Sequence, residues 1–419
     1  MKFISALVLL SLIAGLIAGA LVRASGDPTW LNISSVIEPF GGLWLNTLRM
    51  TVVPLVVSLL ITAIASVADT AKTGGLVARA ILLFTVLLFF AAAYSVLATN
   101  GWLEVWPLDR AAADAFVAGV GDQAIIINEP PTFASWLQGL APYNPIKAAA
   151  EDGMLALVVF SIFFGFAAAT LAPEMRAQIV NFFRAVSEAM IKIVQWVLLA
   201  GPIGVFALAL GVGLHAGFSA AGTLAQYVVI VTGVTAGSTL IAWIIAITFG
   251  GQSIARFTSA ATPVWAIAAS TQSSLASLPA MLDAALRGLQ IPPRIADVVL
   301  PLAVAIFRFT SPVANLAVCF FVAHLYNLEP SLVQIVSAVI VAYAVSVAAV
   351  GLPGQVSFIA SIAPICLVLG VPTEVLGILI AVEVIPDIFR TLGNVTADLA
   401  ATSILARNQP RENEGSLAP

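Results

Sequence analysis

The stretch VEVIPDIFRTLGNVTADLAAT, residues 382–402, sets a series of polar side chains into an apolar run. These polar residues are Glu383, Asp387, Arg390, Thr391, Asn394 and Asp398. In an α-helix, which turns by about 100° per residue, all of them fall within an arc of roughly 100°. The rest of the surface is Val, Ile, Leu and Ala, which suits packing against protein or lipid. The spacing therefore predicts a helix with one polar stripe that faces the interior.

The composition places this helix in a membrane protein. The 419-residue chain is 61% hydrophobic and 9% charged, whereas soluble domains average about 45–50% apolar and about 25% charged residues. So little charge cannot cover a water-facing surface, and we expect an all-α, multi-pass protein of the inner (cytoplasmic) membrane. Apolar segments of about spanning length lie near 4–22, 42–66, 80–98, 152–172, 190–213 and 224–249.

Two apolar segments of the second half are interrupted in their middles. The segment 256–286 contains STQSSLASLP at 270–279, and the segment 333–370 contains GLPG at 351–354. Such breaks free backbone groups that lipid cannot satisfy, so they must line a cavity or pack on protein. Paired interruptions typically mark the binding site of a secondary transporter. Two hairpins that serve only packing are the alternative. Each is followed by a helix with polar residues, expected at 294–325 and 374–406.

The polar stripe suits a small zwitterionic acid that carries an extra carboxylate. Arg390 offers a planar fork for a carboxylate, and Asp387, one turn away, could take an ammonium group. Asn394 can donate and accept hydrogen bonds, and Asp398 could hold a cation together with backbone carbonyls. Ionisable groups at membrane depth usually mark a substrate or ion pathway. An internal salt-bridge ladder, with Asp387 and Glu383 neutralising Arg390, is the alternative.

The chain resembles the dicarboxylate/amino acid:cation symporter family, which includes the glutamate and aspartate transporters and their prokaryotic homologues. The resemblance covers nearly the whole chain and rests on LRMTVVPLVVSLLITAIAS at 48–66, NPIKAAAEDGMLALVVFSIFFGFA at 144–167, GPIGVFAL at 201–208 and DIFRTLGNVTADL at 387–399. The last stretch is the most specific, because it matches the family's Asp-x-x-Arg-Thr-x-x-Asn-x-x-x-Asp pattern.

The resemblance implies an inverted-repeat elevator transporter with eight transmembrane helices and two re-entrant helical hairpins. It implies a homotrimer in the lipid bilayer. Residues 1–253 would form mainly the scaffold and trimer contacts, with the third span joining the transport domain. Residues 254–406 would form the core of that transport domain, and 407–419 a disordered tail.

The resemblance also implies roles for single residues. Asp387 would take the substrate amine and Arg390 its side-chain carboxylate, while Thr391 and Asn394 would complete the pocket. Asp398 would join Asn394 in a sodium site. The first tip would contact the main carboxylate through Ser273 and Ser274, and the second tip, with Gly351, Pro353 and Gly354, would be the outer gate.

One motif departs from the family pattern. The family carries Asn-Met-Asp-Gly-Thr after the first hairpin, whereas this chain has Phe307-Arg308-Phe309-Thr310-Ser311. Sodium needs oxygen ligands, and phenylalanine supplies none. We hypothesise that Arg308 is a fixed positive charge that compensates Asp398 or Glu383, so that the carrier depends less on sodium. The alternative is that Arg308 reaches to a membrane interface or pairs with a carbonyl at a helix end.

We therefore predict a secondary active transporter for an acidic amino acid, such as glutamate or aspartate, or for a C4-dicarboxylate, with sodium or a proton as coupling ion. Glu383 and Asp398 are the candidate proton carriers. The alternatives are a proton-coupled or uncoupled anion exchanger, a passive anion channel and a non-transporting membrane sensor. We expect no enzymatic activity, no cofactor and no nucleic-acid partner. Cys319 and Cys366 are interpreted as small buried hydrophobic residues.

Overall fold

The computed structural model describes residues 2–70, 75–120, 133–348 and 354–407. Within these ranges the chain is helical without strands, which confirms the predicted all-α class. The helices are α1 (Lys2–Ser25), α2 (Pro28–Arg49), α3 (Val52–Thr70), α4 (Gly75–Val105), α5 (Arg110–Val120), α6 (Phe133–Gly139), α7 (Pro145–Ala150), α8 (Met154–Thr170), α9 (Pro173–Leu199), α10 (Gly201–Ala216), α11 (Ser219–Thr248), α12 (Ile254–Thr271), α13 (Ser274–Asp283), α14 (Pro293–Ile306), α15 (Thr310–Leu325), α16 (Leu332–Ala348), α17 (Gly354–Leu369), α18 (Leu376–Leu379) and α19 (Val384–Arg407). The predicted tail beyond Arg407 lies outside the described residues.

Several segments have the length and composition of membrane spans. Among the described residues they are Ala6–Ser25, Pro28–Val67, Gly75–Val105, Ser219–Thr248 and Pro293–Leu325, and the pair α9 and α10 adds one more if it is counted as a single span. That pair bends by 62°, so the apolar segment predicted near 190–213 is not one continuous helix. The bend follows from Pro202, because a proline suits the first turn of a new helix but not the interior of a continuing one.

The first interrupted segment is a pair of packed helices, α12 and α13, joined at Gln272 and Ser273. Gln272 has a left-handed backbone with φ of 54°, which turns the chain. The Ser273 hydroxyl accepts a hydrogen bond from the Ala276 amide at 3.2 Å and so caps α13. The second interrupted segment is the packed pair α16 and α17. Its connection lies outside the described residues, and with it Gly351 and Pro353, while Gly354 begins α17.

The polar-bearing helix expected over 294–325 is instead broken into α14 and α15. Phe307 leaves the helical conformation, with φ of −103° and ψ of 80°. Its buried ring stacks on that of Phe84 on α4, with centroids 4.5 Å apart. The Thr310 amide then donates to the Asn394 side-chain oxygen at 2.9 Å. The break is thus stabilised by contacts that lie far apart in sequence, which is why helical periodicity does not reveal it.

The helix that carries the polar stripe, α19, lies at the centre of the second half of the chain. It packs against α11, α12, α14 and α15. The packing is tight at Gly393, where a Cβ atom would lie 2.3 Å from the Thr310 methyl and 2.7 Å from the Thr239 hydroxyl. The predicted helix 374–406 begins later than expected, so Glu383 lies in the turn before α19. Its carbonyl accepts a hydrogen bond from the Asp387 amide at 2.9 Å.

Candidate substrate and cation site

The polar stripe of α19 faces the protein interior, as its spacing predicted. Asp387, Thr391, Asn394 and Asp398 are all buried, and the side chain of Arg390 is 13% exposed. The Thr391 hydroxyl donates to the Asp387 carbonyl at 3.0 Å, inside the helix. Charged groups buried this deeply require partners or a bound ion. The contacts of each one therefore indicate what the site can hold.

Arg390 is held from two sides. Its Nη1 donates to the Asn315 side-chain oxygen on α15 at 2.8 Å. Its Nη2 lies 2.8 Å from Glu383 Oε1, an ion pair whose atoms are not aligned as a hydrogen bond. One rung of the alternative salt-bridge ladder is therefore present in the structure. Asn315 was not among the residues predicted from the sequence, although an amide in the predominantly apolar α15 was a usable signal.

Glu383 has a second partner that was also not predicted from the sequence. The Tyr227 hydroxyl on α11 donates to Glu383 Oε2 at 3.0 Å. Both side chains are buried, with Glu383 1% and Tyr227 0% exposed. A phenol in a spanning helix is usually a packing residue, so only the tertiary contact identifies Tyr227 as part of the site.

Asn394 connects α19 to the break between α14 and α15. Its side-chain oxygen accepts from the Thr310 amide at 2.9 Å and lies 3.0 Å from the Thr310 hydroxyl. The same hydroxyl lies 2.8 Å from the Arg390 carbonyl. The amide oxygen of Asn394 is therefore already engaged with protein donors in this arrangement, which leaves it less available as a cation ligand.

Asp398 and Arg308 also place buried polar atoms in this region. Both carboxylate oxygens of Asp398 and the Nε of Arg308 are buried without a hydrogen-bond partner among the described residues. Asp387 and Asp398 attract the Arg308 guanidinium electrostatically, and Arg390 repels it. The buried Arg308 Nε and these attractions favour a place among the charges of the site over one at a membrane interface.

The first tip contacts the start of α19. Gln272 Nε2 donates to the Val384 carbonyl at 3.4 Å, one residue beyond Glu383. Ser274 is buried, and the Ser273 carbonyl accepts from the Ser277 hydroxyl at 3.0 Å. The serines thus lie at the same end of α19 as Glu383 and Asp387. The residues predicted for the second tip, Gly351 and Pro353, lie outside the described chain.

The two cysteines are buried, as predicted, but they also meet. Cys319 on α15 and Cys366 on α17 have their sulfur atoms 3.2 Å apart, and both are free thiols. The contact joins the broken helix to the second packed pair. Their spacing in sequence gave no sign of it.

Comparison with known proteins identifies the family. The model of the sodium:dicarboxylate symporter family matches residues 4–408. The proton/glutamate-aspartate symporter of Escherichia coli (strain K12) is 27% identical over 403 residues, covering 96% of this chain and 91% of the relative. The proton/sodium-glutamate symport protein of Bacillus caldotenax is 26% identical, covering 97% and 94%. The C4-dicarboxylate transport protein 2 of Mesorhizobium japonicum is 23% identical, covering 92% and 87%. With a match of this extent, the chain belongs to the sodium:dicarboxylate symporter family, and it is a membrane transporter rather than an enzyme.

Proposed function

We propose that this protein is a secondary active transporter that moves a small dicarboxylate across the inner membrane together with a cation. The observation that carries the proposal is the buried stripe of Asp387, Arg390, Thr391 and Asn394 beside the serine tip. Arg390 supplies the fork for one substrate carboxylate. Ser273 and Ser274 supply hydroxyl and backbone contacts for the other.

The transport cycle we propose is an elevator movement within a homotrimer. Eight spans and two re-entrant hairpins would form each protomer, with residues 254–406 as the core of the moving domain. Packing of α4 and α11 against α15 and α19 supports adding both helices to that domain. The second tip, Gly351 to Gly354, would serve as the outer gate.

The position of Arg308 favours a substrate without an amine, such as a C4-dicarboxylate. Asp387 is the residue expected to take a substrate ammonium group, and Arg308 is a permanent cation that Asp387 attracts electrostatically. A guanidinium stays protonated at any physiological pH. It therefore neutralises Asp387 in the role that the amine of aspartate would otherwise fill.

Arg308 also replaces a coupling sodium ion in this proposal. The buried Asp398 carboxylate needs a positive charge, and Arg308 is the cation that acts on it. Because Asn394 is engaged by Thr310, Asp398 and Asn394 form a weaker sodium site than the family pattern implies. Sodium dependence should accordingly be low.

Glu383 is then the residue that couples transport to protons. Charged Glu383 competes with the substrate carboxylate for Arg390, because both need the same guanidinium face. Protonation of Glu383 removes the competitor, so proton and substrate bind together. The relatives named for proton coupling are consistent with this assignment.

The test is uptake of labelled succinate, aspartate and glutamate into proteoliposomes under an imposed sodium or proton gradient. We expect succinate accumulation driven by protons and little response to sodium. Sodium-driven accumulation would refute the replacement of sodium by Arg308. Exchange without accumulation would favour an uncoupled anion exchanger. Absence of all three activities would refute the proposed substrate class and favour a non-transporting sensor.

A further inference from the structure

Tyr227 is the only ionisable side chain on the 30-residue helix α11, and it lies against the candidate proton carrier. Its ring is wholly buried and meets the edge of Phe321 on α15, with centroids 5.3 Å apart and planes at 71°. Packing therefore fixes the direction of the phenol. The hydroxyl donates to Glu383 Oε2 at 3.0 Å, on the carboxylate oxygen that Arg390 does not approach.

The two protonation states of Glu383 use this hydroxyl differently. A phenol that donates to a charged carboxylate forms a charge-assisted hydrogen bond, which is roughly twice as strong as a bond between neutral groups. A protonated Glu383 is neutral, so it can form only a hydrogen bond between neutral groups with the same hydroxyl. The contact therefore stabilises the charged form of Glu383 more than its neutral form.

Other titratable groups interact electrostatically with Glu383, with Tyr227 or with both. Within the described chain, the titratable side chains that act on Glu383 or Tyr227 are Arg390, Asp387 and Cys319. Arg390 favours a charged Glu383, whereas Asp387 opposes it. Gln272, the residue of the first tip that reaches the start of α19, is neutral. Among the described residues, Tyr227 is thus the uncharged donor to Oε2 of Glu383, the oxygen outside the ion pair with Arg390.

We infer that Tyr227 is a positioning residue that sets the pH at which the carrier loads its substrate, by holding Glu383 charged until the proton concentration is high enough. The inference rests on the proposed role of Glu383 in releasing Arg390. It adds α11 to the elements that control loading.

The variant that tests it is Tyr227→Phe, which keeps the ring and removes the hydroxyl. Tyr94→Phe is the matched control. The Tyr94 hydroxyl on α4 also donates to α11, at 3.0 Å, but its acceptor is the backbone carbonyl of Val234 and not a carboxylate. Uptake of labelled succinate into proteoliposomes is measured from acid to alkaline pH for both variants and the wild type. In parallel, infrared difference spectra of the purified proteins titrate the protonated carboxyl band that Glu383→Gln removes.

We expect Tyr227→Phe to retain uptake and to move both pH midpoints in the alkaline direction by about one unit, the difference between a charged and a neutral hydrogen bond. Tyr94→Phe should leave both midpoints at the wild-type value. An unshifted infrared midpoint in Tyr227→Phe overturns the inference. A shifted infrared midpoint in a protein that transports none of the carboxylates supports the role of Tyr227 and refutes the proposed function instead.

Discussion

The ion pair between Arg390 and Glu383 yields a quantitative prediction for Glu383→Gln. The two charges are 2.8 Å apart, which corresponds to about 6 kcal/mol of attraction at an effective dielectric constant of about 20. Burial offsets much of this attraction. The net free energy of the ion pair, which a substrate carboxylate must overcome to bind Arg390, is then about 1.5–3 kcal/mol, the usual value of a hydrogen bond to a charged group.

Glutamine keeps the shape of Glu383 but cannot carry the charge. Where Glu383 is charged in the wild type, Glu383→Gln should therefore bind succinate about 10- to 150-fold more tightly, at 1.36 kcal/mol per factor of ten. At acid pH, where Glu383 already holds a proton, the two proteins should bind alike. The expected result is a dissociation constant that falls with acidity in the wild type and stays flat in the variant.

The assay is calorimetric or equilibrium binding of succinate to purified protein across the pH range. Glu374→Gln is the matched control. Glu374 also forms an ion pair at 2.8 Å, with Arg49, but lies outside the polar stripe. The control should keep the wild-type pH dependence. Equal pH slopes in the wild type and Glu383→Gln, or weaker binding by Glu383→Gln at alkaline pH, would refute the competition between Glu383 and substrate.

Three further predictions follow from other contacts. Arg308→Met should free Asp387 for a substrate amine and so shift the preference from succinate towards aspartate in competition uptake, whereas Arg308→Lys should not. An unchanged ratio of aspartate uptake to succinate uptake in Arg308→Met would contradict the proposed pairing of Arg308 with Asp387. Gly393→Ala should destabilise the protein by about 1–3 kcal/mol and lower its melting temperature, because the added methyl group overpacks a tight contact. Gly42→Ala should leave the melting temperature unchanged, because the space around its Cβ position is open. Oxidation with copper-phenanthroline should form a disulfide between Cys319 and Cys366, because their sulfur atoms are in contact. Mass spectrometry should then detect one cross-linked peptide. Finding only the two separate peptides would show that α15 and α17 do not meet at these residues.

The sequence predicted those features that depend on local periodicity. The inward face of α19 followed from the spacing of Asp387, Arg390 and Asn394, because a single helix fixes their relative directions. The interruption at Ser273 followed from serine and proline at membrane depth. The membrane-protein class followed from composition, and the helical class followed from apolar segments of spanning length.

What the sequence did not reveal depends on contacts between distant segments. The break before Thr310 is stabilised by Phe84 and Asn394, and neither lies near it in the chain. Tyr227 belongs to the site through its contact with Glu383, and Asn315 through its contact with Arg390. Both contacts join residues on different helices that lie far apart in the sequence. No periodic pattern within α11 or α15 distinguishes these residues from packing residues.

In the proposed cycle, the charges of the site decide when a cation must accompany the substrate. The buried carboxylates are Glu383, Asp387 and Asp398, and the guanidiniums are Arg308 and Arg390. With all five groups ionised, one net negative charge remains in the empty site, and a dicarboxylate with two negative charges raises it to three. Such an excess is costly in a low-dielectric region, so loading would require a cation, and a proton on Glu383 would remove one charge. Without Arg308 the empty site would already carry two negative charges and would require a bound cation to return. On the proposed function, the arginine would let the empty carrier return without sodium, while the loaded carrier would still require protons.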